Sequence, residues 1–468
     1  MTTAVQVPPA AVVRPAARRT PGWWRDAAEV CFGASLVVVA LLWLGGGGLR
    51  DLAGGVGEAL MSLGRALGLV ASDLLLVQVL LMARLPFVER SFGQDDLARR
   101  HRVVGSWSFW LMAAHVLLVT VGYAVTDGRN PLSELWDLTW TYPGMLLAVA
   151  GTLCLVMVTV TSIRAARRRL RYESWHLLHL YAYLGAGLAL PHQLWSGGDF
   201  VGNPVAAAWW WSAWAGTAAA VVVWRLGVPV WRTLRHRLVV AAVVPEAPGV
   251  VSVHLTGRRL DALPARAGQF LLFRFLDGTG RTRAHPYSLS ASPHPGLLRV
   301  TVKDLGDGSR RVAGLRPGTR VAVEGPYGRL TADRRTRRGV LLVGSGVGIT
   351  PLRSLAEELE QSPGDVVLLH RVHSEADAVF RGELAQLATT RGLRVVRLVG
   401  PRPPGRASWL PAAHAARDDV DALRRLVPDV ADRDVFVCGP AGWTDLVLTA
   451  VRAAGVPDAH VHVERFSW

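Results

Sequence analysis

The chain has 468 residues, half of them apolar, and a formal net charge of +16. That length calls for more than one domain, and the charge does not make it a nucleic-acid binder, because the arginines gather beside apolar segments where membrane topology accounts for them. Its three cysteines, Cys31, Cys154 and Cys438, have no metal-type spacing and are too few for a cysteine-ligated iron–sulfur cluster.

In chain order, residues 1–28 are rich in Pro, Ala and Arg and predict a disordered cytoplasmic N-terminus. The following apolar run comes too late, and without a small-residue cleavage site, to read as a secretory signal. Residues 29–233 predict a six-helix all-α transmembrane bundle. Its candidate spans are 29–48, 66–86, 103–125, 143–163, 174–194 and 205–226, each near the ~20 residues that cross hydrocarbon. Arginine sorts the connecting segments. One side holds Arg14 to Arg25, Arg84 to Arg102, Arg164 to Arg171 and Arg225 to Arg237; the other has only Arg50, Arg65 and Arg129. The positive-inside rule then puts both termini in the cytoplasm of a multi-pass cell-membrane protein, with the lipid bilayer as its first partner.

The third span carries His101 and His115. Fourteen residues of helix rise roughly 21 Å and return to within about 40° of one face. The parallel fifth span carries His176, His179 and His192. By depth, His179 matches His101 near the inner face and His192 matches His115 near the outer face; His176 matches less well. Thirteen ideal helical steps leave His192 about 140° off the His179 face, so the pairing needs a distortion at Pro191. Histidine is costly in hydrocarbon and marks function there. Two axial imidazoles per iron is a haem arrangement, so His101, His115, His179 and His192 are the expected metal ligands of two stacked b-type haems. Trp107, Phe109 and Trp110 lie between the two levels. Arg84, Arg100 and Arg102 border the inner one, where they would either pair with propionates or snorkel. Asp73 is a buried acid of the second span.

Residues 234–333 change to short β-like runs separated by Gly, Pro and Asp, which predict a small antiparallel β-barrel. Within it stands His285-Pro286-Tyr287-Ser288. The Tyr offers a flat face to a flavin ring and the Ser a hydroxyl to its N5 edge. Gly308 and Ser309 open an expected helix whose amides would face the FAD pyrophosphate. Residues 334–468 read as an α/β parallel-sheet domain. Gly344, Gly346 and Gly348 lie between a strand and a helix, where they allow close approach of a phosphate, and Thr350 is expected to cap that helix. Arg371 and Ser374 follow the next strand and would meet a ribose 2′-phosphate, which favours NADPH, with NADH possible. Cys438, Gly439 and Pro440 end a third strand and would line the nicotinamide pocket. Phe466 or Trp468 would cover the flavin until nicotinamide arrives.

Together, the paired histidines, HPYS, GSGVGITP, CGP and the terminal ERFSW resemble the ferric reductase and NADPH oxidase superfamily of transmembrane flavocytochromes b. The resemblance spans about residues 30–468. It implies a haem-b membrane domain fused to a ferredoxin–NADP reductase-like module, and electron flow from cytoplasmic NADPH through FAD and two haems to an external acceptor. It also implies catalytic roles for Tyr287, Ser288, Cys438 and Phe466 beside the flavin. The acceptor stays open between an Fe(III) chelate and dioxygen. Two other readings remain: a quinone-linked donor to a periplasmic reductase, and a membrane anchor without haem that tethers a soluble flavin reductase.

Overall fold

The computed structural model describes residues 23–170, 172–278, 283–414 and 416–466. Most of the expected disordered tail, and Trp468, lie outside them. The chain divides into two compact units, Thr20–Leu226 and the part from Gly227 onward.

The first unit is helical. Its long helices are α1 (Trp23–Gly45), α2 (Val56–Met82), α3 (Gln94–Asp127), α4 (Met145–Ser162), α5 (Tyr172–Trp195) and α6 (Pro204–Ala220). Residues 23–28, expected in the tail, are instead the first turns of α1, where the Trp23 and Trp24 rings stack at 4.4 Å. Among the described residues five helices are long and apolar enough to cross a membrane, the last of them running on from α6 to His236. The exception is α5, whose three histidines lower its hydropathy.

The tightest helix pairs are α2 with α3 and α4 with α5. Small residues explain both, since lipid gives apolar side chains little reason to associate and close backbone packing decides instead. A Cβ on Gly122 of α3 would fall 2.9 Å from the Gly57 carbonyl oxygen of α2. One on Gly151 of α4 would fall 2.6 Å from the Gly185 carbonyl oxygen of α5.

The second unit opens with helix α7 (Val228–His236), and an antiparallel sheet follows. Its strands are β1 (Leu238–Ala247), β2 (Val250–Thr256), β3 (Phe270–Phe275), β4 (His285–Ser288), β5 (Leu298–Lys303) and β6 (Arg320–Tyr327). Their order is β4-β3-β6-β1-β2-β5. The two outer strands meet at a bridge between Leu289, just past β4, and Val300 of β5. β3 alternates half-buried and buried residues, as one face of a sheet over a core must.

A parallel sheet of β7 (Val340–Ser345), β8 (Val366–Val372), β9 (Arg394–Val399), β10 (Asp434–Pro440) and β11 (Val461–Phe466) completes the unit. Its order is β11-β10-β7-β8-β9. All of β8 is buried, as a central parallel strand covered on both faces requires. The order reverses between β7 and β10. In such sheets the crevice at the carboxyl ends of the two strands flanking the reversal is where ligands bind.

Two buried histidines give this unit an acid limit. Burial pushes His370 on β8 and His462 on β11 down to about 4. An unfolded imidazole takes up its proton near pH 6.5, so between pH ~6.5 and ~4 the unfolded chain binds more protons and stability falls with pH. The melting temperature of the full chain is expected to drop over that window, and less so in His462→Phe. A melting temperature that is flat from pH 7 to pH 4 would contradict this.

Candidate functional site

In the helical unit, α3 and α5 present the four expected histidines. The rings of His101 and His179 meet with centroids 6.0 Å apart and planes at 66°. Two imidazoles that share one metal through nitrogen at ~2 Å have ring centres about 6 Å apart. His101 Nδ1 lies 3.0 Å from the Gln78 carbonyl oxygen, and His115 Nδ1 lies 2.8 Å from that of Gly64. A carbonyl only accepts, so each Nδ1 carries the proton and each Nε2 keeps its lone pair for a metal. Gln78 and Gly64 are themselves fourteen residues apart on antiparallel α2, which repeats the histidine spacing of α3. His179 Nδ1 lies 3.3 Å from Ser162 Oγ on α4. At the other level, His192 sits within electrostatic reach of His115. Helix α5 continues unbroken through Pro191.

Sequence reasoning missed the role of Gly64-x-x-x-Gly68 on α2. Gly64 supplies the carbonyl to His115, and a Cβ on Gly68 would strike His115 Nδ1 at 2.6 Å. The small-x-x-x-small spacing was the signal. Three polar residues singled out in the sequence, Arg84, Arg100 and Asp73, are engaged locally. Arg100 pairs with Asp96 and Glu29, Arg84 with Glu89, and Asp73 accepts from Ser35 Oγ at 3.0 Å. Trp107 and Trp110 face outward, 62% and 65% exposed.

Of the groups expected to meet a flavin, the second unit brings nearly all to one cavity. It has a volume of about 850 Å³ including its open mouth. His285, Pro286, Tyr287 and Ser288 of β4 form one wall, and Gly308, Ser309 and Thr350 contribute from other elements. The His285 and Tyr287 rings stack at 6.0 Å and 22°, because residues two apart on a strand share a face. A Cβ on Gly308 would lie 2.7 Å from His285 Cε1, so only glycine leaves that ring its place. Burial pushes the Tyr287 phenol up, keeping it neutral. The expected helix at Gly308 is a single turn, Asp307–Arg310, and the Ser309 hydroxyl is taken up inside it, accepting from Leu305 N at 2.7 Å. Lys303, which sequence reasoning passed over, also lines the cavity and supplies a cation.

At the sheet reversal, the Gly344-to-Gly348 turn and the Cys438-Gly439-Pro440 strand end lie side by side. The three glycines of the turn differ in purpose. Gly346, at φ +53°, faces open space. A Cβ on Gly348 would fall 2.3 Å from the Cys438 carbonyl oxygen, and one on Gly344 would press on Ile349 and Leu352 of helix α8 (Ile349–Glu358). Thr350 does not cap α8; its hydroxyl donates back to the Val347 carbonyl at 2.9 Å, and Gly348 holds the cap position. The Cys438 thiol is fully buried in the core, and burial raises it well above its ordinary value. Glu464 on β11 stands in register beside it, and Phe466 ends β11 in register with Pro440.

Arg371 and Ser374 are both committed locally. The Arg371 guanidinium donates to the Val372 and Pro401 carbonyls, and burial, then the charge of Arg402, push it below its ordinary value. The Ser374 hydroxyl donates to Asp377 at 2.6 Å. An exposed cation within electrostatic reach of Arg371 is Arg402, which the sequence reading did not single out.

Residues 67–190 match the family model described as "Ferric reductase like transmembrane component", a range that includes His101, His115 and His179 and stops short of His192. Residues 342–448 match the "Oxidoreductase NAD-binding domain". Among curated proteins, the chain is 31% identical over 239 residues to the 3-ketosteroid-9-alpha-monooxygenase ferredoxin reductase component of Mycolicibacterium smegmatis, covering 49% of this chain and 65% of that one. It is 32% identical over 197 residues to an NADPH oxidoreductase of Mycobacterium tuberculosis, covering 40% and 49%. The chain thus spans less than two thirds of these relatives' length. A crystal structure of the FAD/NAD-binding domain of Vibrio cholerae nitric oxide dioxygenase aligns with a TM-score of 0.40 and 24% identity, over 49% of this chain and 98% of that one. The chain therefore carries a nicotinamide-binding domain of oxidoreductase type at residues 342–448, and over about half its length it is similar to reductase components. Residues 67–190 are similar to a ferric reductase-like transmembrane component.

Proposed function

We propose that the chain is a six-span membrane oxidoreductase that moves electrons from cytoplasmic NADPH to an acceptor on the far side, an Fe(III) chelate or dioxygen. The observation that carries this is the His101–His179 pair, at a metal-sharing separation with the His101 Nδ1 proton held by a backbone carbonyl. That arrangement fits a haem, which brings its own equatorial nitrogens and asks the protein for two imidazoles. No larger cluster of His, Cys, Asp or Glu that could hold a metal occurs among the described residues. His101 and His179 would hold the inner haem, His115 and His192 the outer one.

When bound, NADPH supplies a hydride, FAD accepts it and releases electrons singly, and the haems relay them. The chain's own residues bind and orient. Tyr287 offers a neutral flat face and Ser288 a hydroxyl, while Lys303 balances phosphate charge. The turn at Gly346 leaves room for the nicotinamide nucleotide's phosphates, and Glu464 stands in register beside Cys438. Arg402, rather than Arg371, would meet a 2′-phosphate. Arg402→Ala is expected to lower kcat/KM for NADPH by about 10- to 100-fold and leave NADH nearly unchanged, since a hydrogen bond to a charged group contributes about 1.5–3 kcal/mol. Equal losses with both nucleotides would remove Arg402 from that role.

The curated relatives favour a second reading, in which the flavin module serves an oxygenase partner and the membrane domain is an anchor. A reduced-minus-oxidised spectrum of the purified protein decides between them. Paired b-type haem bands support the flavocytochrome; flavin bands alone leave the anchor.

A further inference from the structure

Two walls of the cavity come from different parts of the unit. Tyr287, Ser288 and Thr301 come from β4 and β5, and Val347 and Thr350 come from the nucleotide turn and the start of α8. Close behind the first wall lies a network of charges that ties the two together. Glu383, on helix α9 (Arg381–Arg391), accepts a bidentate bond from Arg299 of β5 at 2.7 and 2.8 Å. The same carboxylate meets Arg353 Nη2 of α8 at 2.7 Å. Both arginines then converge on the carbonyl of fully buried Ser290, two residues beyond Ser288, from 2.8 and 3.2 Å. Glu357 balances the second guanidinium at 2.5 Å. Burial alone would raise the Glu383 carboxyl, but the bond from Arg299 and the charges of both arginines hold it below the usual carboxylate range.

Buried ion networks of this kind are often no more stabilising than apolar side chains of the same volume, so stability alone does not explain one. What this network does is fix a geometry. We propose that Glu383 is a positioning residue that, through Arg299 and Arg353, locks the Ser288–Ser290 wall to α8 and so sets the approach of the nicotinamide to the flavin. This rests on the proposed NADPH-to-FAD transfer. Misplacing reactants by about 1 Å can cost on the order of 100-fold in rate without weakening binding.

The test uses the full-length protein with FAD, comparing the parent with Glu383→Gln and, in case that variant folds poorly, with an apolar triple R299M/R353M/E383L. Flavin reduction by saturating NADPH is followed by stopped flow, with FAD content and NADPH saturation measured alongside. Amide hydrogen exchange across residues 288–292 is measured without nucleotide. The expected result is reduction slower by about 10- to 100-fold, with FAD content and half-saturation within about twofold of the parent. Exchange across 288–292 should be faster in the same variants. The proposal is overturned by a reduction rate within about twofold of the parent, by a slowing wholly accounted for by lost FAD or weaker NADPH saturation, or by unchanged exchange. A parent whose flavin NADPH does not reduce would defeat the underlying functional reading instead, and hydrogen exchange would then judge Glu383 by itself.

Discussion

His179→Ala is expected to purify with one haem where the parent carries two, to keep its FAD, and to let NADPH reduce that FAD at the parental rate. The expectation follows from the division of labour at the inner pair. His101 is held by α2 through the Gln78 carbonyl, whereas His179 leans on Ser162 of the neighbouring α4 at a longer 3.3 Å. Removing the His179 ring would leave the proposed inner haem with one protein ligand. Reduction of an external acceptor should then fail, because the relay loses its inner step while the cytoplasmic module is untouched. Ser162→Ala should act in the same direction but mildly, by about 10-fold or less in haem affinity, since it changes only a hydrogen bond that orients the ligand. Haem content is read from the pyridine haemochrome and flavin reduction from stopped-flow absorbance. Full haem retention in His179→Ala would remove this residue from the ligand set.

Gly348→Ala should have the second largest effect, on the opposite side of the relay. The added methyl would lie 2.3 Å from the oxygen and 2.8 Å from the carbon of the Cys438 carbonyl. These are backbone atoms, so either the nucleotide turn or the end of β10 must move. Both moves displace the crevice between β7 and β10 where the nucleotide is expected. Flavin reduction by NADPH should slow by about 100-fold while FAD and haem contents stay parental. Gly382→Ala is the control, because a methyl there meets nothing within 4 Å and alanine favours the helix by up to about 1 kcal/mol. A Gly348→Ala protein that NADPH reduces at the parental rate would show that the turn is not the nucleotide site.

Much of this was legible in the sequence because the periodicities were strong. Apolar runs marked the spans, and the histidine spacing matched depth on two of them. HPYS and its loop converged on one cavity because strand alternation puts His285 and Tyr287 on one face. The differences have physical causes. Helix α2 begins at Val56 rather than 66 because its glycines look like breakers in water, while between membrane helices they are contact points. Arg371, Ser374, Ser309 and Thr350 are the right types at the right places, but each spends its polar group on nearby backbone or side chain, which no spacing reveals. Cys438 was placed correctly at a strand end; that its thiol faces the core depends on packing from α8 and its neighbours. The Glu383 network joins residues more than eighty positions apart, and nothing local announces it.

The most direct measurement is electron transfer across a sealed membrane. Full-length protein is reconstituted into liposomes that enclose a membrane-impermeant ferric chelate, and NADPH is added outside. The account predicts that electrons reach the enclosed side, read as reduction of the enclosed chelate or as superoxide formed inside from dioxygen, and that the His179→Ala protein delivers none. Reduction only of chelate placed on the same side as NADPH, with the enclosed pool untouched, would contradict it.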